Sequence, residues 1–324
     1  MIRRRTRRIH LLLVSIKTLF GFLLVLGCEA FSTTPKVLRP TPIRTSLPIT
    51  TVAKANANTS TSTGKNNDDD VDDDFDDVTY FIFPGGGIFF AWQAGVMTYL
   101  KQHDYDLSDS SCRFLGSSAG SLMATMSALN VDLEEALQTA LDLAANKYDV
   151  WDRPKGLQGV LLDMIDEWLQ IMIPQDAATS MVEDDNGNRL SILVTPVPFL
   201  WQKQTLRSFS CRQDLIDCNL ASIFLPFFSN GDLFYTIPNR GIYIDGNFLS
   251  TGRHYLPPKK RQEKNQLIVL NWQKDSNLKE KGLTEEDLVA TLSPDTIWEL
   301  VQIGKMYAQA LEAKGKFQSI PKKN

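Results

Sequence analysis

The pentapeptide Gly116-Ser117-Ser118-Ala119-Gly120 lies between a run able to form a strand, residues 112–116, and a helical pattern over residues 121–129. A serine on a sharp strand-to-helix turn is held in a strained backbone, and glycines two residues to either side remove the Cβ atoms that would collide with the neighbouring strand and helix. The hydroxyl is left exposed at the first turn of the helix, where unpaired N–H groups and the positive end of the helix dipole stabilise negative charge. A bare GxSxG match also fits an ordinary glycine/serine turn. The flanking strand and helix make Ser118 a candidate nucleophile, with Gly116 and Gly120 as the glycines that permit its turn.

A second glycine cluster precedes it. Residues 78–83 are aromatic and β-branched, end in Pro84-Gly85-Gly86-Gly87 and pass into a helical pattern over residues 89–103. Strand, glycine turn and helix also describe a dinucleotide fingerprint. That motif would need its last glycine where Phe90 stands, and no acidic ribose partner is evident about 20 residues on. Glycines let backbone N–H groups turn toward a ligand without side-chain interference, so Gly85, Gly86 and Gly87 are better read as an oxyanion loop.

Farther on, helical patterns cover residues 132–147, with Asp132 as N-cap, and residues 156–173, 213–223 and 296–314. Residues 190–195, 241–245 and 266–271 read as strands. Helices interleaved with buried-looking strands predict one α/β domain over a central sheet. With 43% hydrophobic residues in the chain, its roughly 240 residues suffice for a sizeable core.

The first 78 residues have a different character. Residues 1–8 are strongly basic, and residues 9–27 are apolar except for His10 and Lys17, the pattern of a signal peptide with small residues at Gly27-Cys28-Glu29-Ala30. The same stretch also reads as an uncleaved membrane anchor, and residues 24–28 as a lipobox-like signal. From Phe31 onward the chain is rich in Ser, Thr and Pro, and basic, with no acidic residue before Asp68, as in a transit peptide. The acidic run at residues 68–77 reads as a solvated spacer. Signal peptide, phenylalanine and hydroxylated basic tract together resemble the bipartite presequences that take proteins through the secretory route into plastids. The alternatives are a secretory or ER-resident protein with a disordered linker, or a membrane-anchored one. The expected division is a signal peptide at 1–30, a linker at 31–78, a domain at 79–315 and a tail at 316–324.

Residues 79–324 carry 23 basic against 29 acidic side chains, which disfavours nucleic acid as a partner. Beyond Cys28 at the leader boundary, Cys112, Cys211 and Cys218 lack metal-type spacing and are expected to be buried thiols.

The chain from about 79 to 315 resembles a patatin-like phospholipase, nearer to the adipose triglyceride lipase branch than to the plant storage patatins. Gly85-Gly86-Gly87 matches the family's oxyanion loop, Gly116 to Gly120 its nucleophile elbow, and Asp245-Gly246-Asn247 its Asp-Gly-Gly/Ala motif. Residues 214–228 resemble the helix that precedes the aspartate strand. Two departures stand out. Phe90 occupies the place of the loop's last glycine, with Phe89 where an arginine is often found, and Asn247 replaces a small residue beside the aspartate. The resemblance implies a three-layer α/β/α domain with a mostly parallel sheet and a Ser118–Asp245 dyad.

A Ser-His-Asp triad would need a histidine, and beyond the leader the chain has only His103 and His254. The order Ser118, Asp245, His254 is that of an α/β-hydrolase. Against a triad, only about 40 residues of domain precede Ser118, and Asp245 and His254 are nine residues apart. The dyad is therefore favoured, with both histidines as surface or packing residues. In the dyad, Asp245 takes the Ser118 proton while N–H groups at Gly86 and Gly87 hold the oxyanion; neither metal nor cofactor is required. The expected reaction is hydrolysis of a phospholipid, galactolipid or triacylglycerol ester at a membrane or lipid-droplet surface. Transfer of the acyl group to an alcohol, or lipid binding without catalysis, are the alternatives. The apolar residues 194–201 and 226–228 divide between core and a membrane-facing surface, and the basic cluster Lys259-Lys260-Arg261 with Lys264 reads as a solvated loop. No protein partner is indicated.

Overall fold

A computed structural model of the protein describes residues 78–177, 189–250, 254 and 266–323; the leader, the acidic run and the basic cluster around Lys260 lie outside them. Seven strands are described: β1 (Thr79–Phe83), β2 (Cys112–Ser117), β3 (Leu190–Pro196), β4 (Gln204–Leu206), β5 (Tyr235–Ile237), β6 (Gly241–Ile244) and β7 (Gln266–Val269). They form one sheet in the order β5-β6-β3-β2-β1-β7, with β4 also paired to β3. Pairing is parallel among β7, β1, β2 and β3 and antiparallel from β3 to β4, from β3 to β6 and from β6 to β5. Only β4 and β6 therefore run against the rest, and the sheet is mostly parallel, as expected.

Among the described residues, seven helices accompany the sheet: α1 (Phe90–Gln102), α2 (Ala119–Ala128), α3 (Leu133–Asn146), α4 (Leu161–Met172), α5 (Arg212–Ser222), α6 (Ser276–Glu280) and α7 (Pro294–Ala313). The parallel neighbours β1 and β2 are joined through α1, and β2 and β3 through α2, α3 and α4, since parallel strands require a long crossover. Nearly every residue of α1 and α2 is buried, including Ala91 to Leu100 and Gly120 to Ala128, so both are interior helices. α3 and α4 are amphipathic. Leu133, Ala136, Leu137, Leu141 and Ala144 of α3 are buried at helical spacing, as are Leu162, Ile165, Trp168 and Leu169 of α4.

Helix ends follow local chemistry. Asp132 caps α3, its carboxylate accepting from the N–H groups of Glu134 and Glu135, worth about 1 kcal/mol. Ser293 caps α7 ahead of Pro294 in the first turn, where the missing N–H costs nothing. Helix α4 starts later than its apolar pattern suggested. Gly156 and Gly159 take φ of +55° and +83°, so the segment before Leu161 is a series of turns. Among the cysteines, Cys112 and Cys218 are buried, and burial raises both thiols, that of Cys112 to about 11. Cys211 is exposed just before α5, contrary to expectation, because the helix entry turns it outward. No helix of the described residues is long and apolar enough to cross a membrane.

Candidate active site

The site forms at the carboxyl ends of the central parallel strands, where open α/β sheets bind ligands. β1 runs into the triple glycine and β2 into the serine turn, and Phe83 and Gly116 are register partners. On the next strand Ser117 pairs with Leu193, and Thr195 with Ile244 of β6. The residues that follow Ser117 and Ile244, namely Ser118 and Asp245, are thereby brought to opposite sides of Val194.

Ser118 sits at φ +50° and ψ −137° between β2 and α2, a region nearly closed to residues other than glycine. Such a conformation costs about 1–3 kcal/mol and must be held from outside. Ser222, buried at the end of α5, provides that hold. Its Oγ accepts from the Ser118 N–H at 2.9 Å and donates to the Leu193 carbonyl at 2.8 Å, tying the elbow to β3. The flanking glycines leave no room for a side chain. A Cβ at Gly116 would lie 2.2 Å from the Gly120 carbonyl oxygen, and one at Gly120 would lie 2.1 Å from that of Phe83.

The glycine loop lies directly against the elbow, since a Cβ on Gly85 would stand 2.9 Å from the Ser118 Cβ. The buried Gln93 fixes the loop's start, its amide donating to the Pro84 carbonyl at 3.0 Å. Farther along, Gly87 has φ +50°, and the N–H of Ile88 is taken by the Leu288 carbonyl at 3.0 Å. None of the backbone hydrogen bonds among the described residues uses the N–H of Gly86 or Gly87.

Asp245 follows β6 and is only 3% exposed. Its backbone N–H donates to the Phe224 carbonyl and that of Gly246 to the Ser222 carbonyl, so the end of α5 grips the turn. The Asn247 N–H donates to Asp245 Oδ1 at 2.7 Å. Burial pushes the carboxyl up to about 6, while hydrogen bonding from Ser118 and from the backbone of Asn247, then the charge of Lys203, pull the other way. Its Oδ2 is buried without a partner in full hydrogen-bond geometry.

Beside Ser118 opens a cavity of ≈ 170 Å³ whose walls include Phe90, Leu122, Leu137, Met164 and Trp168. The segment from Leu288 to Leu292 closes one side. Ser118 and Gly87 line this apolar pocket, and the buried carboxyl of Asp245, with its raised pKa, lies next to Ser118.

The sequence matches the family model described as Patatin-like phospholipase over residues 81–252, just over half of the chain. The chain belongs to the patatin-like phospholipase family. It is accordingly an ester-hydrolysing enzyme with the patatin fold. Among solved structures, it is similar to VipD from Legionella pneumophila, with 12% identity over 74% of this chain and 67% of that one and a TM-score of 0.48. It is also similar to ExoU in its complex with SpcU from Pseudomonas aeruginosa, with 15% identity over 75% of this chain and 52% of that one and a TM-score of 0.41. The chain thus spans about half the length of ExoU. No curated protein sequence matches it.

This patatin-like phospholipase departs from the family motif in ways that the structure explains. Phe89, in the arginine's place, is fully buried and stacks on Trp272 with ring centroids 3.9 Å apart. Trp272 in turn lies beside Gly86, where an added Cβ would meet the indole at 3.1 Å. The loop is thus buttressed by an aromatic pair. Phe90 begins α1 and its ring lines the cavity. Position 90 thus shares the pocket with Ser118. The side chain of Asn247 lies against Gly85 and so closes the gap between loop and aspartate.

His103 is exposed at the end of α1 and stacks on Tyr99 at 3.8 Å. His254 is half-buried, with neighbours on both sides outside the described residues. Ser222, Gln93 and Lys203 escaped the sequence reading. Ser222 lies in a stretch already singled out, but a buried serine on a helix carries no motif of its own. Lys203 had a weak signal, a lone cation just after the apolar residues 194–201.

Proposed function

We propose that this enzyme hydrolyses long-chain acyl esters of membrane or storage lipids, with Ser118 as nucleophile and Asp245 as general base. The observation that carries the reading is the apolar cavity ending at Ser118, whose walls suit an acyl chain and offer nothing to a charged head group. On attack, the Ser118 hydroxyl forms a bond to the ester carbonyl carbon while its proton passes to Asp245. The N–H groups of Gly86 and Gly87, with the start of α2, face the developing oxyanion. Collapse of the tetrahedral intermediate expels the alcohol, which takes the proton from Asp245 and leaves an acyl-serine. Water then attacks the acyl carbon, Asp245 again takes a proton, and the fatty acid departs as Ser118 recovers its own.

The substrate surface in this reading is a lipid aggregate. Phe199 and Trp201 are 48% and 62% exposed and meet edge to face between β3 and β4. Leu249, four residues after Asp245, is 57% exposed. Exposed aromatic side chains between β3 and β4, and an exposed leucine just after Asp245, suit docking at a lipid interface. The relation to the adipose triglyceride lipase branch, with triacylglycerol among the substrates, belongs to the same proposal, as does plastid delivery by the leader.

The test is a series of p-nitrophenyl esters of rising chain length, together with a fluorescent serine-reactive phosphonate. Wild type should be labelled and should prefer medium or long acyl chains, and Ser118→Ala should show neither labelling nor turnover. Phe90→Gly should move the preference toward longer chains. Labelling that persists in Ser118→Ala would sink the nucleophile assignment.

A further inference from the structure

Lys203 lies between β3 and β4, half-buried, where a lone ammonium group has lost much of its hydration. Its Nζ donates to the Thr195 hydroxyl at 2.5 Å and to the Phe248 carbonyl. Thr195 is fully buried and its own hydroxyl donates to the backbone carbonyl of Asp245 at 2.8 Å. The lysine thus holds the aspartate turn from both sides, through Thr195 before it and Phe248 after it. No carboxylate forms an ion pair with it among the described residues, and Asp245 is the charge that acts on it. A half-buried cation without a salt bridge is costly to the fold.

We propose that Lys203 is a positioning residue for Asp245, tying down the Asp245–Phe248 turn and supplying the positive charge that the buried carboxylate faces. The inference rests on the reading of Asp245 as the base. Around Asp245, the elbow presents the Ser118 hydroxyl, the glycine loop presents uncharged backbone, α5 presents the Ser222 hydroxyl and backbone carbonyls, and the turn presents the amides of Asn247 and Phe248. Among the described residues, Lys203 is a charged group whose field reaches it. Burial raises Asp245 to about 6, and the lysine opposes that rise. Burial also lowers Lys203, to about 8, so the ammonium persists through neutral pH.

The experiment compares kcat/KM from pH 4.5 to 9 on a soluble short-chain ester for the full chain and its Lys203→Gln, Lys203→Arg and Asp245→Asn variants, with folding followed by circular dichroism. Glutamine keeps a donor but removes the charge, and arginine keeps both. Wild type should lose activity as pH falls through about 6, where the base becomes protonated. Lys203→Gln should move that acid limb upward by about one pH unit or more, the usual effect of losing an opposite charge at close range. Lys203→Arg should restore the wild-type limb. A folded Lys203→Gln enzyme whose limb coincides with wild type would overturn the proposal. So would a Lys203→Arg limb that coincides with that of Lys203→Gln. If Lys203→Gln does not fold, the arginine variant decides alone, because a limb displaced from wild type would also refute the role of charge. Activity surviving in Asp245→Asn would instead refute the base assignment.

Discussion

Two residues in the site store free energy that the rest of the fold must supply. Ser118 holds a left-handed backbone that only glycine adopts readily, and Asp245 holds a carboxylate out of water. The second cost is testable through linkage. Because the folded value, about 6, lies above the unfolded one near 4, Asp245 favours the folded state most below pH 4. That advantage disappears as pH rises through 6. Above pH 7 the ionised group costs about 3 kcal/mol relative to an unshifted carboxyl. Asp245→Asn should therefore melt several degrees higher than wild type at pH 8, with little difference at pH 4, in calorimetric scans. The same substitution should lower kcat by about 10²–10⁴, whereas His254→Ala should change it by less than about tenfold. A large loss at His254 would replace the dyad with a triad.

At the scale of elements, the connection from β3 to β4 carries two unlike features within five residues. Phe199 and Trp201 face solvent, while Lys203 turns inward to the aspartate turn. Leu200 between them is buried and anchors the loop to the core. If the exposed pair rests in a lipid interface, its removal should affect aggregated substrate and spare soluble substrate. Phe199→Ser with Trp201→Ser should lower activity on phospholipid vesicles by about tenfold or more, while turnover of a short-chain p-nitrophenyl ester stays within about twofold of wild type. Equal loss on both substrates would mean that the pair supports the fold or the site instead of the lipid contact. The strap from Leu288 to Leu292 is the other element with a divided role, since it walls the cavity and its Leu288 carbonyl occupies the Ile88 N–H. Among the described residues, no backbone hydrogen bond outside the strands and helices uses the N–H of Gly85, Gly86 or Gly87.

At the scale of the whole molecule, residues 1–78 and the residues that follow differ in composition. Residues 1–8 are basic, residues 9–27 largely apolar, and residues 31–67 rich in Ser, Thr and Pro and without an acidic residue. Under the plastid proposal, residues 1–30 should suffice to bring a fluorescent fusion into the secretory route, and residues 1–66 should be needed to deliver it to the plastid. Phe31→Ala should strand that fusion outside. Unchanged import would refute the bipartite reading.

Much of the fold was legible because it is local. Periodicity marked β1, β2 and β3 and most of the helices, and the glycine spacing marked the turn at Ser118, since a Cβ at Gly116 or Gly120 would stand only 2.2 or 2.1 Å from a backbone oxygen. What local pattern cannot carry is partnership between distant segments. Gly156 and Gly159 sat inside an apolar helical pattern, yet left-handed backbone there shortened α4. The short strands β4 and β5 gave no signal because three residues are too few for a period. Phe90 was ambiguous until the cavity beside Ser118 was in view. Ser222 and Lys203 gained meaning only once β3 had placed the elbow and the aspartate turn on either side of itself. Sequence alone marked Ser118 and Asp245 as the candidate groups, because the motifs that bear them are contiguous. Tertiary structure decided what holds and tunes those groups, because burial and charge at Asp245 come from segments that meet only in the folded chain.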